Sequence, residues 1–494
     1  MGKRISCLLI CLLLLCCALP SAGAEVLPGQ EITSGEFVYV VQGDGTVMIT
    51  RYTGQAVTLV FPDTLDGIPV TAIGPSACQS NNAITEVTIP EGITSLGDSA
   101  FKRCTSLDTV ILPDSLTEIG VNPFAGCEAL FEIDLDDTDA DGDGSWNKNL
   151  VYDEEKGVLF SQDDHRLVYY SGQDGASELK LAAGTRIIGA EAFYECDNIR
   201  KIKIRKPEAE GGSALAVIGR RAFYGCGNLE SINLEDTEIS TVGSDAFFGC
   251  SSLRTLTFPG GVTEIAERAF SGCDSLKEVN MPESVTSIGE MAFRNCTSLV
   301  SVRVPAGVTS ISKNTFSGCR DLEEILLPDG LRYIGGGAFM GCTGLVKLAL
   351  PDTVNYIGSD AFSDCTALEE ISIPDRCSYI GASAFCRCKS LKRLALPSDL
   401  YVINPNTFYG CGMLAEIELP EDLEEIGEGA FFLCISLKEI DIPDPVEIIG
   451  DYAFSQCVNL EKIGLPEDLE TIGPNTFDAA QLAFLPDLGD MVEE

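Results

Sequence analysis

The sequence predicts a repeat solenoid, a fold in which short structural units stack on one another along a single axis. Phenylalanine recurs every 23 residues from Phe247 to Phe477, and a cysteine follows in step from Cys250 to Cys457. A fixed period of about 20 to 50 residues is the sequence signature of this fold class. Because this period runs unbroken over nearly half of the 494 residues, we expect one elongated unit rather than several separate domains.

Each unit is expected to contain one short strand. In the copy that begins at residue 265, Leu276, Val279 and Met281 are apolar at the spacing L-x-x-V-x-M. Side chains alternate between the two faces of a strand, so Val279 and Met281 face the same way. Pro282 follows and ends the strand, because proline has no N–H group to donate.

A turn or a short helical segment is expected next, at residues 290–296, where it would carry Phe293 and Cys296 into the interior. A single unit buries only a few apolar side chains, which does not offset the entropy lost when the unit becomes ordered. Stacked units cover each other's apolar faces, so stability is expected to come mainly from contacts between neighbours. The period is therefore a requirement of folding and indicates no chemical activity by itself.

The chain is strongly acidic. It has 75 Asp and Glu residues against 33 Lys and Arg residues, which gives a formal net charge of −42. Such a charge disfavours nucleic acid and anionic membrane surfaces as partners. Two explanations stay open: the charge keeps a long rod with an apolar core soluble, or it attracts a basic partner.

Residues 1–24 have the pattern of a signal peptide. Lys3 and Arg4 form a basic start, residues 5–19 are apolar, and Ala24 completes a small-x-small cleavage motif. These are the three parts of a secretory signal. The apolar run is short for a membrane-spanning helix. We therefore expect cleavage after Ala24, a secreted or cell-surface product, and no transmembrane segment in the mature chain.

The rest of the chain divides according to its fit to the period. Alternating apolar residues on both sides of Gly43 to Gly45 predict a hairpin, which would cover the first rung of the solenoid. A second domain inserted after the first rungs is an alternative interpretation of the irregular segment there. The predicted segments are a capping hairpin at 25–60, the first rungs at 61–135, an acidic insertion with strand-rich degenerate rungs at 136–180, regular rungs at 181–477, and a C-terminal cap or acidic tail at 478–494.

Two rungs depart from the strict register. The interval from Cys196 to Cys226 is 30 residues, and the interval from Cys226 to Cys250 is 24. We interpret residues 207–213 as a surface loop that accounts for the longer interval.

The cysteines follow the repeat. Fourteen of them occupy one column, which begins at Cys104. A buried column of reduced thiols is one interpretation, because free cysteine packs as a small apolar residue. Disulfides are a second, since export favours them and neighbouring rungs are close enough. A zinc site has little support, because His165 is the only histidine.

An acidic stretch at 136–147 has the spacing D-x-D-x-D-G, which resembles the start of a calcium loop. Oxygen ligands at alternate positions and a glycine for the turn suit Ca²⁺, but the closing glutamate is missing, since Lys148 and Leu150 fall at that place. A solvated acidic loop is the alternative interpretation. The candidate calcium ligands are Asp137, Asp139, Asp141 and Asp143.

The recurring pattern I-P-x-x-V-T-x-I-G-x-x-A-F-x-x-C-x-x-L resembles the BspA-type leucine-rich repeat of bacterial and some protist surface proteins. Close copies lie at 112–120, 281–296 and 350–365. The resemblance implies a right-handed leucine-rich-repeat superhelix with one short strand and a turn or short helical segment per rung. It also implies export and, as in characterised members, adhesion to host or microbial surface proteins. It carries no catalytic residues.

The predicted function is binding of a protein or peptide on the strand face, the row of outward side chains that successive strands place side by side. A structural or self-assembling surface scaffold is the alternative. We predict no enzymatic activity and no cofactor apart from calcium. The candidate binding residues are Thr257, Asn280, Arg303, Leu326, Lys347, Ala349, Ser372 and Ala395.

Overall fold

The structure, a computed structural model, describes residues 29–135, 149–172, 176–182, 184–204, 214–467 and 469–478. These residues form a solenoid of stacked rungs built from short strands and turns, as the period predicts. Four predicted segments lie outside the described residues: the signal peptide, the acidic stretch that contains the four candidate calcium ligands, the surface loop at 207–213, and the tail beyond residue 478.

The N-terminal part begins with antiparallel strands and continues as parallel rungs. β2 and β3 pair as a hairpin across Gly43 to Gly45, and β3 then pairs in parallel with β6, so that the hairpin joins the first rung edge to edge. The strands are β1 Ile32–Ser34, β2 Phe37–Val41, β3 Val47–Tyr52, β4 Thr58–Val60, β5 Thr64–Leu65, β6 Ile68–Ile73, β7 Glu86–Thr88, β8 Ser95–Leu96, β9 Thr109–Leu112, β10 Glu118–Ile119, β11 Glu132–Leu135, β12 Leu150–Asp153, β13 Val158–Ser161 and β14 Arg166–Tyr170.

From β15 onward each rung contributes two strands. The odd-numbered strand is the one that the sequence predicts, and the even-numbered strand is a second, two-residue strand that the sequence analysis did not anticipate. The strands are β15 Glu178–Lys180, β16 Ile187–Ile188, β17 Lys201–Lys203, β18 Val217–Ile218, β19 Ser231–Ile232, β20 Thr241–Val242, β21 Thr255–Thr257, β22 Glu264–Ile265, β23 Glu278–Asn280, β24 Ser287–Ile288, β25 Ser301–Arg303, β26 Ser310–Ile311, β27 Glu324–Leu326, β28 Tyr333–Ile334, β29 Lys347–Ala349, β30 Tyr356–Ile357, β31 Glu370–Ser372, β32 Tyr379–Ile380, β33 Arg393–Ala395, β34 Val402–Ile403, β35 Glu416–Glu418, β36 Glu425–Ile426, β37 Glu439–Asp441, β38 Ile448–Ile449, β39 Lys462–Gly464 and β40 Thr471–Ile472.

The segment expected as a turn or short helical segment is a series of turns, and none of the described residues is in a helix. In residues 290–296, Met291 and Asn295 have positive φ angles of 56° and 59°, a conformation that a right-handed helix does not accommodate. Alternate N–H groups bond back within the turn, while the others bond to the next rung, as Phe293 N–H does to the Thr315 carbonyl oxygen at 2.9 Å. The helical interpretation was therefore wrong, but the predicted inward placement of Phe293 is confirmed.

The phenylalanine and cysteine columns form the interior. From Phe270 to Phe477, neighbouring rings lie 5.3–5.7 Å apart with nearly parallel planes. Cysteine thiols donate to the phenylalanine carbonyl oxygen of the preceding rung, as Cys319 Sγ does to Phe293 O at 3.2 Å. Burial raises the pKa of Cys319 to about 12. All cysteines within the described ranges are free thiols, so the column packs as buried apolar groups.

The buried apolar residues form two clusters rather than one. The N-terminal core runs from Tyr39 to Tyr169 and the C-terminal core from Val158 to Phe477. β13 and β14 contribute to both, because successive side chains of a strand point to opposite sides. Tyr169 contacts Phe124 in the N-terminal core, and the next residue, Tyr170, contacts Phe193 in the C-terminal core. These two strands therefore form a wall between the cores.

Candidate binding surface

Most odd-numbered strands from β15 to β39 expose their first and third side chains and bury the second, although β19 has only two residues and the second side chain is half-buried in β35 and β39. In β23, Val279 is buried while Glu278 and Asn280 are exposed. The same exposed–buried–exposed pattern holds in most of the neighbouring strands. Since adjacent strands are about 4.8 Å apart, two outward columns of side chains run along the solenoid. We call these two columns the strand face.

All eight candidate binding residues lie on the strand face. Lys347 belongs to the first-position column and the other seven to the third-position column. Register pairing places Arg303 beside Leu326 and Ala349 beside Ser372. Seven of the eight are exposed, and Thr257 is half-buried. The structure thus brings these residues onto one face, in two adjacent columns.

Most charged groups of this row are paired within the solenoid. Lys347 Nζ lies 3.0 Å from Glu370 Oε2, and Arg303 Nε lies 3.6 Å from Glu283 Oε1. The hydrogen bond from Lys347, together with its charge, lowers the pKa of Glu370. Exposed pairs of this kind contribute little to stability. Leu326, whose side chain is 50% exposed, is a large apolar group that the fold leaves in solvent.

Two concavities lie on the strand face. The first, of about 370 Å³, includes the candidate residues Ser372 and Ala395 in its lining, together with Glu370, Arg393 and Glu418. The second, of about 540 Å³, lies nearer the N-terminus and contains three lysines, Lys180, Lys201 and Lys203, as well as Thr257. We call the second the lysine concavity. Sequence reasoning missed it, although the strand sequences E-L-K and K-I-K in neighbouring rungs were a usable signal.

A row of tyrosines on the even-numbered strands was also missed. Tyr333, Tyr356 and Tyr379 stack with ring centroids 4.5 and 4.7 Å apart and nearly parallel planes. Because each ring faces its neighbour, the ring edges and hydroxyl groups face outward, and Tyr333 is 41% exposed. The stack stabilises this sheet and leaves little ring face for stacking on a ligand.

The calcium hypothesis stays a prediction, because Asp137, Asp139, Asp141 and Asp143 lie outside the described residues. Within the ranges that the structure describes, no group of three or more His, Cys, Asp or Glu side chains is placed to hold a metal ion. Nor does any helix in those ranges combine the length and apolar character needed to cross a membrane.

The repeat geometry agrees with a known family. A family model described as "BspA type Leucine rich repeat region (6 copies)" matches residues 71–145, 169–300, 216–345, 309–426 and 402–485. The chain belongs to this family. The resemblance drawn from the repeat pattern is therefore confirmed, and the fold is that of a leucine-rich-repeat solenoid, an architecture that typically serves binding rather than catalysis.

Solved structures of similar fold come from bacteria. A leucine-rich repeat protein from Bacteroides ovatus is 26% identical, and the match covers 94% of this chain and 97% of that one with a TM-score of 0.54. A leucine rich cell surface protein from Faecalibacterium prausnitzii is 25% identical over 88% of this chain and 94% of that one, with a TM-score of 0.40. No curated protein matches the sequence significantly.

Proposed function

We propose that this chain is an exported leucine-rich-repeat protein that binds a protein or peptide on its strand face, in the manner of an adhesin. The observation that carries the proposal is the run of Leu326, Ala349, Ser372 and Ala395 at successive rungs, which the fold exposes and does not need for its core. A row of small side chains beside one large apolar group permits close approach of a partner backbone. Covering the exposed apolar surface of Leu326 with a partner would favour association, because it removes that surface from water.

Export is part of the same proposal. The basic and apolar pattern of residues 1–24 supports it, and the family resemblance implies a surface or secreted protein that adheres to host or microbial surface proteins. A reduced, buried cysteine column is compatible with export, because a thiol in an apolar interior is inert.

The test uses a variant that changes Arg303, Leu326 and Lys347 together to Asp, Ser and Glu. Binding to a bacterial or host surface protein fraction, measured as retention of labelled protein on the immobilised fraction, is expected to fall about tenfold or more. The matched control changes three exposed residues that lie in none of the odd-numbered strands, Arg294, Val458 and Lys313, in the same way.

Equal retention of both variants would contradict the assignment of the strand face as the binding site. Sedimentation velocity of the purified protein separates the scaffold alternative. An elongated monomer at all concentrations agrees with a binder, whereas concentration-dependent growth that the triple variant abolishes would assign the strand face to self-assembly instead.

A further inference from the structure

The lysine concavity lies where the repeat loses its period. The rung between Cys196 and Cys226 and the rung between Cys226 and Cys250 are longer than 23 residues. At the same place the sheet of odd-numbered strands is interrupted, because β15, β17 and β19 form one sheet and a new sheet starts at β21. The odd-numbered strands show similar breaks after β27, β31 and β35, but here the hollow spans the break, since its lining includes residues of β15, β17, β19 and β21.

The side chain of Asn233 fixes one wall of this hollow. Its amide oxygen accepts from Ile204 N–H at 2.8 Å, and its amide nitrogen donates to Ile204 O at 3.1 Å. Asn233 therefore takes the place of a strand partner for Ile204, and β19 ends at Ile232. The wall is held by two hydrogen bonds, so the hollow is a built feature of the rung.

Three ammonium groups converge on this hollow. Lys180 and Lys203 are register partners on neighbouring strands, and Lys201 is the register partner of Glu178. All three lysines are exposed. Lys203 Nζ lies 2.8 Å from Glu178 Oε1, whereas Lys180 and Lys201 form no ion pair with another residue of the described ranges.

The pKa of Glu178 reflects the positive charge of the nearby lysines. The hydrogen bond from Lys203 lowers the pKa of Glu178, and the charges of Lys203, Lys180 and Lys201 add to that effect. A carboxylate at the edge of the concavity is thus stabilised in its ionised form by all three lysines. This cluster is the more distinctive because the whole chain carries a net charge of −42, and a local basic site in an acidic molecule selects an oppositely charged ligand.

We propose that the lysine concavity binds a carboxylate-rich, extended segment of a protein partner. The lining also contains one carboxylate, that of Glu235, against the three lysines. The remaining polar lining favours a polypeptide, because Ser231, Asn233 and Thr255 offer groups that hydrogen-bond to a peptide backbone. No aromatic ring lines the hollow among the described residues, whereas sugar rings usually bind against aromatic faces. The inference rests on the proposed binding role of the strand face, and it adds a second contact region with a stated ligand chemistry.

The experiment measures fluorescence anisotropy of a labelled peptide of alternating glutamate and threonine, with an alternating lysine and threonine peptide as the negative probe. Lys180→Gln, Lys201→Gln and Lys203→Gln together are expected to weaken binding of the acidic peptide about tenfold, because three exposed charge contacts are lost. The matched control is Lys313→Gln, Lys389→Gln and Lys438→Gln, which removes the same charge from exposed sites outside the concavity.

A second variant gives an effect of opposite sign. Glu178→Gln removes the carboxylate that competes for the lysines, so binding of the acidic peptide is expected to tighten several-fold. Its control, Glu290→Gln, removes an exposed carboxylate away from the strand face. Unaltered or weaker binding by the Glu178 variant, or equal tightening by the control, would overturn the proposal.

Other occupants are separated in the same assay. Polygalacturonate is added as a competitor of the labelled peptide. If it displaces that peptide at a lower carboxylate concentration than unlabelled acidic peptide does, the ligand of the concavity is an acidic glycan. Peptide binding that rises when Glu208 and Glu210 are changed to Gln would show that the neighbouring segment of this chain fills the site. Self-association lost in the triple lysine variant would indicate a second copy. Each of these results overturns the peptide assignment, and none depends on Leu326, so failure here is distinguishable from failure of the proposed function.

Discussion

Two regions of the solenoid pack their interiors differently. One is the series of regular rungs after Cys250, and the other is the irregular segment between Phe124 and Cys250. In the regular rungs, one ring, one thiol and one set of backbone bonds repeat, as in the stacking of Phe293 on Phe316 at 5.7 Å. In the irregular segment the ring stack breaks into a perpendicular contact and a tilted contact through Tyr169 and Tyr170. The regular rungs share one continuous interior, whereas the irregular segment contains the wall, a nearly buried ion pair and most of the lysine concavity.

Charged side chains hold the irregular segment together. Lys102 Nζ lies 2.6 Å from Glu191 Oε2, and both side chains are nearly buried. Asn122 donates its side-chain amide to Glu191 O at 2.7 Å. These contacts join residues 69 to 89 positions apart, so they connect the rungs on either side of the wall. The regular rungs have no need of such contacts because their apolar columns are continuous.

The largest expected effect is in the regular rungs. Phe339→Ala removes a fully buried ring that stacks on Phe316 and Phe362, and we expect a loss of about 3–5 kcal/mol in the free energy of unfolding. Hydrogen exchange followed by mass spectrometry should locate the loss to the C-terminal core. Tyr401→Ala, at an exposed position, is the control. Unchanged unfolding would contradict the continuous ring column.

At the wall between the cores, Glu191→Gln leaves Lys102 nearly buried without its carboxylate partner, and we expect a cost of about 3 kcal/mol. The predicted signature differs from that of the ring variant: the N-terminal core should lose exchange protection separately from the C-terminal core. Denaturant unfolding with exchange at several denaturant concentrations measures this, with exposed Glu238→Gln as the control. A single transition with unchanged midpoint would show that the two cores do not depend on this contact.

The same substitution in both regions sharpens the comparison further. Cys342 is fully buried and its thiol donates to Phe316 O at 3.2 Å, so Cys342→Ser places a more polar group in an apolar column and is expected to cost about 1–2 kcal/mol. Cys196 lies in the irregular segment and is only partly buried. Cys196→Ser should cost clearly less in thermal unfolding, and equal costs would contradict the difference in packing.

The smallest effect concerns an exposed pair between two regular rungs. Arg387 donates two hydrogen bonds to Asp364, at 2.6 and 2.5 Å, and these bonds hold the pKa of Asp364 below its ordinary value. A lowered folded-state pKa stabilises the protein above the unfolded pKa, and that contribution is lost as pH falls through the folded pKa. Because the pair is exposed, Asp364→Asn should cost less than about 1 kcal/mol at neutral pH.

Thermal unfolding of this variant and of the parent protein at neutral and acid pH tests the sign. The difference between them should shrink toward zero in acid, where the carboxyl of the parent protein is protonated. A difference that grows on acidification would show that Asp364 stabilises the fold through something other than its charge.

The structure of the regular rungs could be predicted from the sequence, because one copy of the repeat contains all the residues that pack in every rung. The positions of Phe293 and Val279 follow from a period and an alternation, and the structure buries both. The turn at 290–296 was harder to predict from the sequence. Its positive φ angles at Met291 and Asn295 follow from bonds to the next rung and not from a local residue preference.

The irregular features depend on distances that no pattern in the sequence states. Lys180 and Lys203 are one period apart and therefore on the same column, but the wall of the hollow depends on the hydrogen bonds between Asn233 and Ile204 where β19 ends. Likewise, Lys102 pairs with Glu191, which lies 89 positions later in the chain. No repeat spacing in the sequence connects these two residues. The candidate residues on the strand face were placed correctly as outward side chains, while their binding role stays a prediction.

The alternation of backbone bonds in the turns has a consequence for how such a molecule changes length. In every regular rung the same N–H groups reach the same carbonyl positions of the next rung, so any 23-residue unit is an acceptable neighbour for any other. Unequal recombination between copies of the repeat would then add or remove one unit. The new neighbours would make the same backbone bonds as the old ones. The number of rungs, and with it the length of the protein, can therefore change by gain or loss of whole repeats in the gene.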